Sequence, residues 1–592
     1  MPIEQWIIFG TLLATLALFI WGKWRYDVVA LLALLVVTLS GLIPVERAFS
    51  GFSNPAVITV AAVLVISRGL QNSGLIDLIG QRLSALKGGV TIQLAALTVI
   101  VAVLSAFMNN VGALALLMPV ALQLSARKQI PASVFLMPIA FASLLGGMTT
   151  LIGTPPNIIA ASFREQAGST PFGMFDFAAV GVGVALVGLL FIVLIGWRLI
   201  PRRRGQGTPD QIFDIEKYIT EVRIADESIL AGKRLREINP LAKTEVLIIG
   251  LVRRGERRLE PSASTALQAG DILIISADTK DLETLVAAAG LELVGSEEII
   301  RADLETEEVV LAEAVIAPNS PMAGSTARSL NLRAQYGVNL LAIARQGKKY
   351  WQRLDRIRFR TGDVLLLQSH VVTLKEVLST LGCLPLAERG LRIGRPRPVL
   401  LALGTFIAAL LAAATGLLPV QIAFVAAVAC MILFKVVSLR EAYASIDWSI
   451  IILLGAMIPV GEALETTGGA QRIAGSLLSI SGDTSPVWML VIMLVATMFL
   501  SDLVNNAAAV VLMAPIAISI AQGSGLSLDP FLMSIAIGAS CAFLTPIGHQ
   551  SNTLVMGPGG YKFGDYWRMG LILEILIVIV AIPLLLRFWP PA

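Results

Sequence analysis

Two pairs of adjacent asparagines stand in otherwise apolar stretches of the chain. The first stretch is SAFMNNVGALALLMPVALQLS, from 105 to 125, and the second is SDLVNNAAAVVLMAPIAISIA, from 501 to 521. An asparagine side chain offers a carbonyl acceptor and an NH₂ donor, so it can serve a sodium ion and a neighbouring anion without formal charge. Hard cations prefer such oxygens, and a serine lies one helical turn before each pair. The pattern predicts cation sites at Ser105, Asn109 and Asn110, and at Ser501, Asn505 and Asn506.

The alternative role of a membrane asparagine is hydrogen bonding to a neighbouring helix. For a single asparagine in a membrane helix we would infer that role. Here the pair recurs together with its serine, a downstream proline (Pro119 or Pro515) and a later chain break. This recurrence favours a binding site, although duplicated folds also duplicate packing.

A break rich in glycine and proline follows each asparagine pair. The sequences are TTLIGTPPN, from 149 to 157, and TPIGHQSN, from 545 to 552. A backbone break within a membrane leaves amides and carbonyls without partners, which is tolerable only where they line a buried or water-filled cavity. The breaks near Gly153 and Gly548 are therefore predicted to expose carbonyl oxygens opposite the asparagine pairs. Discontinuous helices in duplicated halves are typical of secondary transporters, whose helix N-termini face an anionic ligand.

The elements that must position these residues are membrane helices. The 592 residues are 56% hydrophobic, with a mean hydropathy of +0.79, outside the usual soluble range. About 20 apolar residues cross a bilayer, and such segments recur in both halves. Each half is predicted to hold three spans, a re-entrant hairpin of short helices, a span broken at Gly/Pro and a final span. The regular spans lie near 4–21, 27–44, 55–70 and 177–200, and near 398–416, 419–436, 447–464 and 569–588.

The two membrane halves repeat each other. The asparagine pairs, their serines and the downstream prolines match at an offset of 396. If each hairpin enters and leaves by one face, each half crosses five times, and an odd number inverts the second copy. With the arginines at 202–204 in the cytoplasm, eighteen Lys and Arg lie inside and four outside, which agrees with the positive-inside rule. Both termini are then predicted outside, and the opening MPIEQWIIFG is interpreted as the first span and not as a removable signal.

A charged segment separates the two halves. Residues 201–396 hold 28 of the 45 Lys and Arg and 26 of the 41 Asp and Glu, which indicates a soluble insert on the cytoplasmic side. The insert is duplicated at an offset of 92, and its β-branched runs and glycine turns predict two α+β modules. The predicted domains are membrane repeat 1 (1–200), module 1 (201–300), module 2 (301–396) and membrane repeat 2 (397–592).

Both modules resemble the C-terminal regulatory module of the TrkA type. The features are a glycine-turn hairpin followed by Gly-Asp and a strand, at Gly270-Asp271 and at Gly362-Asp363. This resemblance covers nearly all of the insert. It implies dimerisation and a small ligand or nucleotide at the modules.

The membrane halves resemble the divalent anion:sodium symporter family over about residues 27–200 and 398–588. The features are an asparagine nine residues before Pro119 or Pro515 and the GTPPN loop at 153–157. The resemblance implies a first sodium site at Ser105, Asn109, Asn110 and Gly153 and a second at Ser501, Asn505, Asn506 and Gly548. It implies a small anion between the two tips, a homodimer, and a transport domain that moves like an elevator against a scaffold. The implied substrate contacts are Asn109, Asn110, Thr154, Asn157, Asn505, Asn506, Gln550, Ser551, Asn552 and Thr553.

The chain departs from the family at both hairpin tips. Val111 and Ala507 replace the threonine of the family's Ser-Asn-Thr signature, which removes hydroxyls that family members use on carboxylates. The loop GHQSNT at 548–553, together with TrkA-type inserts, looks like that of sulfate carriers. Sulfate is therefore favoured as the substrate, with di- or tricarboxylates next.

Two other classes of membrane protein stay open. One is an oxyanion or arsenite exporter driven by protons, and the other is a potassium channel gated by the modules, although no TVGYG-like filter occurs. No nucleophile and base pair, Walker A loop or zinc cluster predicts an enzyme. Sodium is expected as a coupling ion without a tightly bound cofactor. The expected partners are membrane lipid and a second copy of the chain, and not nucleic acid.

Four further polar residues lie within or near the predicted spans, where ionisable groups are functional candidates. Arg68 and Glu462 stand at span ends and can instead reach the interface, whereas Asp502 directly follows a site serine. His549 is interpreted as a polar lining residue of the second break. The three cysteines lack metal-ligand spacing and are interpreted as apolar packing residues.

Overall fold

The computed structural model describes residues 2–21, 24–73, 88–201, 219–238, 247–253, 256–259, 264–276, 285–286, 288–293, 309–317, 320–345, 348–350, 354–386, 396–469, 471–472, 475 and 485–591. The arginines at 202–204 and the module boundary at 300 and 301 lie outside these residues.

Eight helices are described in the first membrane half. The helix that begins at Pro55 shows an N-terminal signal of the sequence: Asn54 accepts a hydrogen bond from Ala56 N, and Pro55 occupies the first helical position. The helices are α1 (Ile3–Trp21), α2 (Tyr26–Leu39), α3 (Pro55–Asn72), α4 (Val90–Ser105), α5 (Asn110–Lys128), α6 (Ser133–Gly147), α7 (Pro155–Gln166) and α8 (Ala178–Phe191, continued by Ile192–Gly196 and Trp197–Leu199).

Ten strands and two short helices are described in the insert. The first sheet contains β1 (Ile219–Ile224), β2 (Leu247–Arg253), β3 (Glu256–Leu259), β4 (Ile272–Ser276) and β5 (Leu291–Leu293). The second contains β6 (Val309–Ile316), β7 (Asn339–Arg345), β8 (Lys348–Tyr350), β9 (Val364–His370) and β10 (Cys383–Pro385), with helices α9 (Leu332–Tyr336) and α10 (Val371–Thr380).

The two sheets are antiparallel and share one strand arrangement. Their orders are β3-β2-β4-β1-β5 and β8-β7-β9-β6-β10. The turn before the central strand is held in the same way in both, because Arg253 binds Asp271 through two nitrogens and Arg345 binds Asp363 likewise. Such forked pairs fix geometry as well as charge. The Gly-Asp turn of each module is therefore held rigidly at the start of the central strand.

The second membrane half follows the element order of the first, except that it has the short helix α13 where the first half has 3₁₀ turns at Val45–Arg47 and Ser50–Ser53. Asp447 caps α14 through Ser449 N, and Asn505 caps α16 through Ala507 N. The helices are α11 (Pro396–Ala414), α12 (Val420–Leu433), α13 (Leu439–Ser445), α14 (Trp448–Thr466), α15 (Pro486–Leu503), α16 (Asn506–Ser524), α17 (Asp529–Ala539), α18 (Gln550–Met556) and α19 (Trp567–Phe588).

Seven of the described helices are long and apolar enough to cross a membrane. The prediction of a polytopic helical membrane protein is confirmed at this level. The shorter apolar helices include both members of the first hairpin, α4 and α5, and the first segment of each broken span, α6 and α17. The seven are α1, α3 with its preceding turn, α8, α14, α15, α16 and α19.

The membrane helices pack in two groups. In what we call the scaffold group, α2 packs on α14 and α3 packs on α12. The second regular span of each half therefore packs on the third regular span of the other half. In the site-bearing group, α4 packs on α6, α15 on α17, and α8 on α19. The scaffold group comprises α1–α3, α11, α12 and α14, and the site-bearing group comprises α4–α8 and α15–α19. The groups meet where α14 contacts α16 and α3 contacts α7.

Module 2 also touches the membrane part of the chain. A Cβ atom on Gly557, the residue after α18, would lie 1.9 Å from the carbonyl oxygen of Gly362. A Cβ atom on Gly362, which has a φ of +81°, would lie 2.8 Å from Thr553 O. The equivalent turn of module 1 has nothing within 4 Å of a Cβ atom built on Gly270. The Gly-Asp turn of module 2 is thus seated against the end of α18.

Candidate functional site

A cavity of about 390 Å³ lies between residues of both hairpin tips and both breaks. The tips contribute Asn109 to Val111 and Leu503 to Ala508, and the breaks contribute Thr154 to Pro156 and Ile547 to Gln550. The remaining wall comes from the scaffold group and the α1–α2 connection, with Phe19, Trp24, Arg25, Tyr26 and Ile450. Arg25 is the charged side chain of this lining.

Four helices begin at the cavity. These are α5 at Asn110, α7 at Pro155, α16 at Asn506 and α18 at Gln550. A helix N-terminus carries a partial positive charge and unpaired backbone N–H groups, so the three longer helices α5, α7 and α16 favour an anion at this place. The arrangement supplies positive potential in the cavity with little formal charge from side chains.

The first asparagine of each pair caps the helix that follows. Asn109 Oδ1 accepts hydrogen bonds from Val111 N at 2.7 Å and Gly112 N at 3.1 Å. Asn505 Oδ1 accepts one from Ala507 N at 2.9 Å. This is the ordinary N-cap role of asparagine. The side-chain oxygens of Asn109 and Asn505 therefore accept hydrogen bonds from backbone N–H groups. Both residues still line the cavity.

The second asparagine of the first pair stands in a cluster of oxygens. Asn110 Oδ1 lies 2.7 Å from Ser105 Oγ and 3.2 Å from both Ser143 O and Gly153 O. Ser105 Oγ is also 2.7 Å from Ser143 O. The hydroxyl has one hydrogen and can donate it to one of these two oxygens. With the amide oxygen of Asn110 in this place, the cluster holds more acceptors than hydrogens, which is the environment that a hard cation prefers; with the amide nitrogen there, the same oxygens accept its hydrogens.

The second pair has a matching cluster. Ser501 Oγ lies 3.0 Å from Asn506 Oδ1 and 2.6 Å from Ala539 O, the counterpart of Ser143 at the offset of 396. Gly548 stands beside it, because a Cβ atom there would lie 2.9 Å from Ser501 O. Asn506 Nδ2 is buried and has no hydrogen-bond partner. Among the described residues no group of three or more His, Cys, Asp and Glu could hold a metal. The oxygens named in both clusters belong to hydroxyl, amide and backbone carbonyl groups, which carry no formal charge.

The ten predicted substrate contacts divide into two sets. Six line the cavity, namely Asn109, Asn110, Thr154, Asn505, Asn506 and Gln550. The other four support the breaks: Asn157 Nδ2 donates to Thr150 O, Asn552 Nδ2 donates to Ala542 O and Thr545 O, Thr553 Oγ1 donates to Pro546 O, and Ser551 Oγ lies 3.4 Å from Ser143 Oγ. These bonds hold the two breaks in matching shapes.

Of the other predicted residues, Glu462 forms an exposed pair with Arg47 at 3.5 Å, away from the cavity lining.

His549 joins the two halves at the cavity. Its Nδ1 accepts the hydrogen of Ser551 N at 3.0 Å and caps α18, and its Nε2 lies 3.4 Å from Asn110 Nδ2. The sequence indicated a lining residue here, and the cavity lining includes it. Contact with the tip of the other half, 439 positions away, had no signal in the sequence.

Sequence reasoning missed Gly147 and Glu574. A Cβ atom on Gly147 would lie 2.2 Å from Asn110 Oδ1, so only glycine leaves room for the first cluster. The glycine pair at 146 and 147 ends α6 and could have signalled a close approach. Glu574, on α19, is buried against Asp502, with Phe543 N donating to Glu574 and Leu544 N donating to Asp502. An isolated carboxyl in a membrane helix was the available signal.

The free cysteines play no part in the clusters. Cys383 and Cys541 are buried and Cys430 is partly buried. Burial raises the pKa of the Cys383 thiol, in module 2, to about 12, which keeps it in the unreactive thiol form.

Comparison with known proteins places these features in context. The sequence profile of the citrate transporter family (CitMHS) matches residues 16–538 and 462–590. An uncharacterized transporter of Synechocystis sp. is 33% identical over 568 residues, which cover 94% of this chain and 93% of that protein. The uncharacterized transporter YfbS of Escherichia coli is 30% identical over 617 residues, covering 98% and 99%. Sodium/sulfate cotransporter 2 of Chlamydomonas reinhardtii is 28% identical over 360 residues, covering 57% of this chain and 40% of that protein.

Proposed function

Because the chain belongs to the citrate transporter family, we propose that this membrane transporter couples the uptake of a divalent anion, first of all sulfate, to sodium. The observation that carries the proposal is the convergence of helix N-termini on one cavity flanked by two oxygen clusters. Sodium at the clusters supplies full positive charges beside the cavity. The N-termini supply oriented N–H groups for the anion itself.

The choice of sulfate rests on the cavity wall. Apolar Val111 and Ala507 stand at the two tips, so the wall offers backbone N–H groups and amides more than hydroxyls. A compact tetrahedral dianion suits such donors. A relative that is named a sodium/sulfate cotransporter supports this choice. The description of the family as citrate transporters supports a tricarboxylate symporter as the second candidate.

The packing supports an elevator-type movement. The hairpins, broken spans and final helices form the site-bearing group, which meets the scaffold group along α14–α16 and α3–α7. In the proposal the site-bearing group carries sodium and anion together across the membrane. The scaffold group, with the cavity wall from α1, α2 and α14, stays in place and is the surface at which a second copy binds.

Uptake into proteoliposomes tests the function. Radiolabelled sulfate, citrate and succinate are offered separately, under an inward gradient of sodium or of choline. Sodium-driven sulfate uptake is expected, with weaker uptake of the carboxylates. Sodium-driven uptake of citrate alone would select the second candidate, and transport driven by protons without sodium would favour the exporter.

We propose in addition that module 2 restrains the transport cycle, and that a small ligand at the modules controls this restraint. The support is the contact between Gly362 and the end of α18, whose first residue lines the cavity. If α18 moves with the site-bearing group while the insert stays, this contact must break in every cycle. Its strength would then limit the rate.

Gly557→Ala tests the restraint. The new methyl group would lie 1.9 Å from Gly362 O, and the three nearest atoms all belong to module 2. The substitution therefore displaces the module without entering the membrane core. A higher maximal uptake rate with unchanged half-saturation for sodium and sulfate is expected. Gly404→Ala, which meets no atom within 4 Å, is the control, and equal rates in the two variants would refute the restraint.

A further inference from the structure

The hydrogens around Asn110 allow one amide orientation in the sodium-free protein. Ser105 Oγ gives its single hydrogen to Ser143 O, at 2.7 Å. The amide atom in the cluster then faces Ser143 O, Gly153 O and a hydroxyl oxygen that has no further hydrogen. A nitrogen in that place lies 3.2, 3.2 and 2.7 Å from these oxygens and can donate its two hydrogens to two of them at a time. Without a cation, the amide NH₂ of Asn110 therefore points into the cluster.

His549 favours the same orientation from the opposite side. Its Nδ1 accepts a backbone hydrogen from Ser551, and therefore its Nε2 carries a hydrogen. The amide atom of Asn110 that faces this Nε2 at 3.4 Å must be an acceptor. With the NH₂ group in the cluster, the carbonyl oxygen meets this requirement. Every partner of the amide is then satisfied, and the cavity side of Asn110 is an acceptor, which repels an anion.

A sodium ion in the cluster demands the opposite orientation. The ion needs the carbonyl oxygen, so the NH₂ group turns toward His549 and the cavity. Two donors, Asn110 Nδ2 and His549 Nε2, then face each other without an acceptor between them. An anion oxygen that accepts from both satisfies this pair. Both residues line the cavity, so the acceptor can enter from there.

We propose that His549 is a positioning residue that links the orientation of the Asn110 amide to sodium at the first cluster. The linkage rests on the sodium-coupled function proposed above. Its consequence is an ordered cycle: sodium binds first and converts one wall of the cavity from an acceptor to a pair of donors, and the anion follows. The linkage is reciprocal, because an anion held by the two donors raises the affinity for sodium by the same factor.

The second cluster lacks this link. The position that corresponds to His549 in the first break is Thr154, next to Gly153 as His549 is next to Gly548. Thr154 Oγ1 and Asn506 Nδ2 are both buried without a hydrogen-bond partner. No described group on the cavity side of the Asn506 amide therefore favours its oxygen over its nitrogen. Only sodium at the first cluster is therefore expected to control anion binding in this way.

His549→Asn removes the link and keeps the helix cap. Asparagine is a favoured N-cap residue, so the bond to Ser551 N is preserved, while nothing replaces Nε2. The sodium-free orientation loses its partner, and the affinity for sodium in the absence of sulfate should rise about two- to tenfold. The factor by which saturating sodium raises sulfate affinity should fall by about the same amount. A merely structural role of the histidine would lower both affinities.

Equilibrium binding of radiolabelled sulfate and of ²²Na to the full-length protein in detergent measures these factors. His370→Asn, a substitution of the other histidine of the chain, on β9 outside the cavity lining, is the matched control and should leave both unchanged. Asn110→Asp is the second variant: its carboxylate has no N–H donor, so sodium should raise sulfate affinity by a smaller factor than in the wild type.

The outcomes separate the two proposals. If sodium raises sulfate affinity in the wild type and equally in His549→Asn, the linkage is refuted and the sodium-coupled function stands. If sodium does not raise sulfate affinity in the wild type, the proposed function fails, and the linkage fails with it. Sodium enhancement of sulfate affinity that is as large in Asn110→Asp as in the wild type would also refute the linkage, even if His549→Asn did not fold.

Discussion

Replacement of Gly147 by alanine should damage the first cation site without removing any of its ligands. The methyl carbon would lie 2.2 Å from Asn110 Oδ1, whereas real Cβ contacts are essentially never shorter than 3.0 Å. The amide must move by about 0.8 Å, more than the roughly 0.5 Å within which binding groups have to be held. The oxygen of Asn110 is then lost to the ion. A hydrogen bond to a charged group contributes about 1.5–3 kcal/mol, and by that measure sodium affinity falls about 10- to 150-fold.

Sulfate uptake as a function of external sodium is the assay. Gly404→Ala makes the same chemical change at a glycine of α11 with no atom within 4 Å, and it should match the wild type. Thermal unfolding in detergent checks that both variants assemble equally. Wild-type sodium dependence in a correctly assembled Gly147→Ala protein would refute the assignment of the first cluster as a cation site.

Three further predictions test the division of roles around the cavity. Asn109→Ala should lower stability by about 1 kcal/mol through loss of the α5 cap while Asn109→Ser retains it; a change in the half-saturating sodium concentration without a change in melting temperature would contradict the capping role. Ser501→Ala removes an oxygen of the second cluster and should raise half-saturating sodium about tenfold or more, as measured by uptake, and unchanged sodium dependence would count against that cluster. Glu574→Leu leaves Asp502 buried without its carboxyl partner and should cost about 1–3 kcal/mol of stability, whereas Glu574→Gln keeps a hydrogen-bonding partner and should melt near the wild type; equal melting temperatures for the two variants would show that the pair is not a structural contact.

The positions of the helices were largely predictable from the sequence. Apolar length predicted spans near 4–21 and 569–588, and the structure has helices at Ile3–Trp21 and Trp567–Phe588. Length works because a bilayer imposes one physical requirement on every span. The hairpin turns were predictable as well, since asparagine is both a cap and a polar interruption of an apolar run.

The division of roles within each asparagine pair was not predictable. The sequence assigned Asn109 and Asn110 to one sodium site, but the side chain of Asn109 caps α5 and only the amide of Asn110 stands in the cluster. Only the register of the helix start decides between them, and element boundaries are the least certain part of a sequence-based assignment. Ser143 and Ala539 contribute backbone oxygens to the clusters. Every residue has such an oxygen, so the residue type at these positions could not predict their part in the site.

Contacts between the two halves were also beyond the sequence. His549 meets Asn110 across 439 positions, and Tyr561 donates a hydrogen bond to Ser133 O across 428. Such pairs arise from how the two membrane halves pack and not from periodicity within either half. A repeat predicts which residues are equivalent, but the partners differ, as the contrast between His549 and Thr154 illustrates.

A density map of the protein in sodium sulfate, compared with one in choline chloride, tests the central claim most directly. The account predicts a cation coordinated by Ser105 Oγ, Ser143 O, Gly153 O and Asn110 Oδ1, a second cation at the Ser501 cluster, and an anion in the cavity between them, all three present only with sodium sulfate. Maps in which Asn110 Nδ2 donates to Ser143 O and Gly153 O under both conditions, with neither cluster holding an ion, would contradict it.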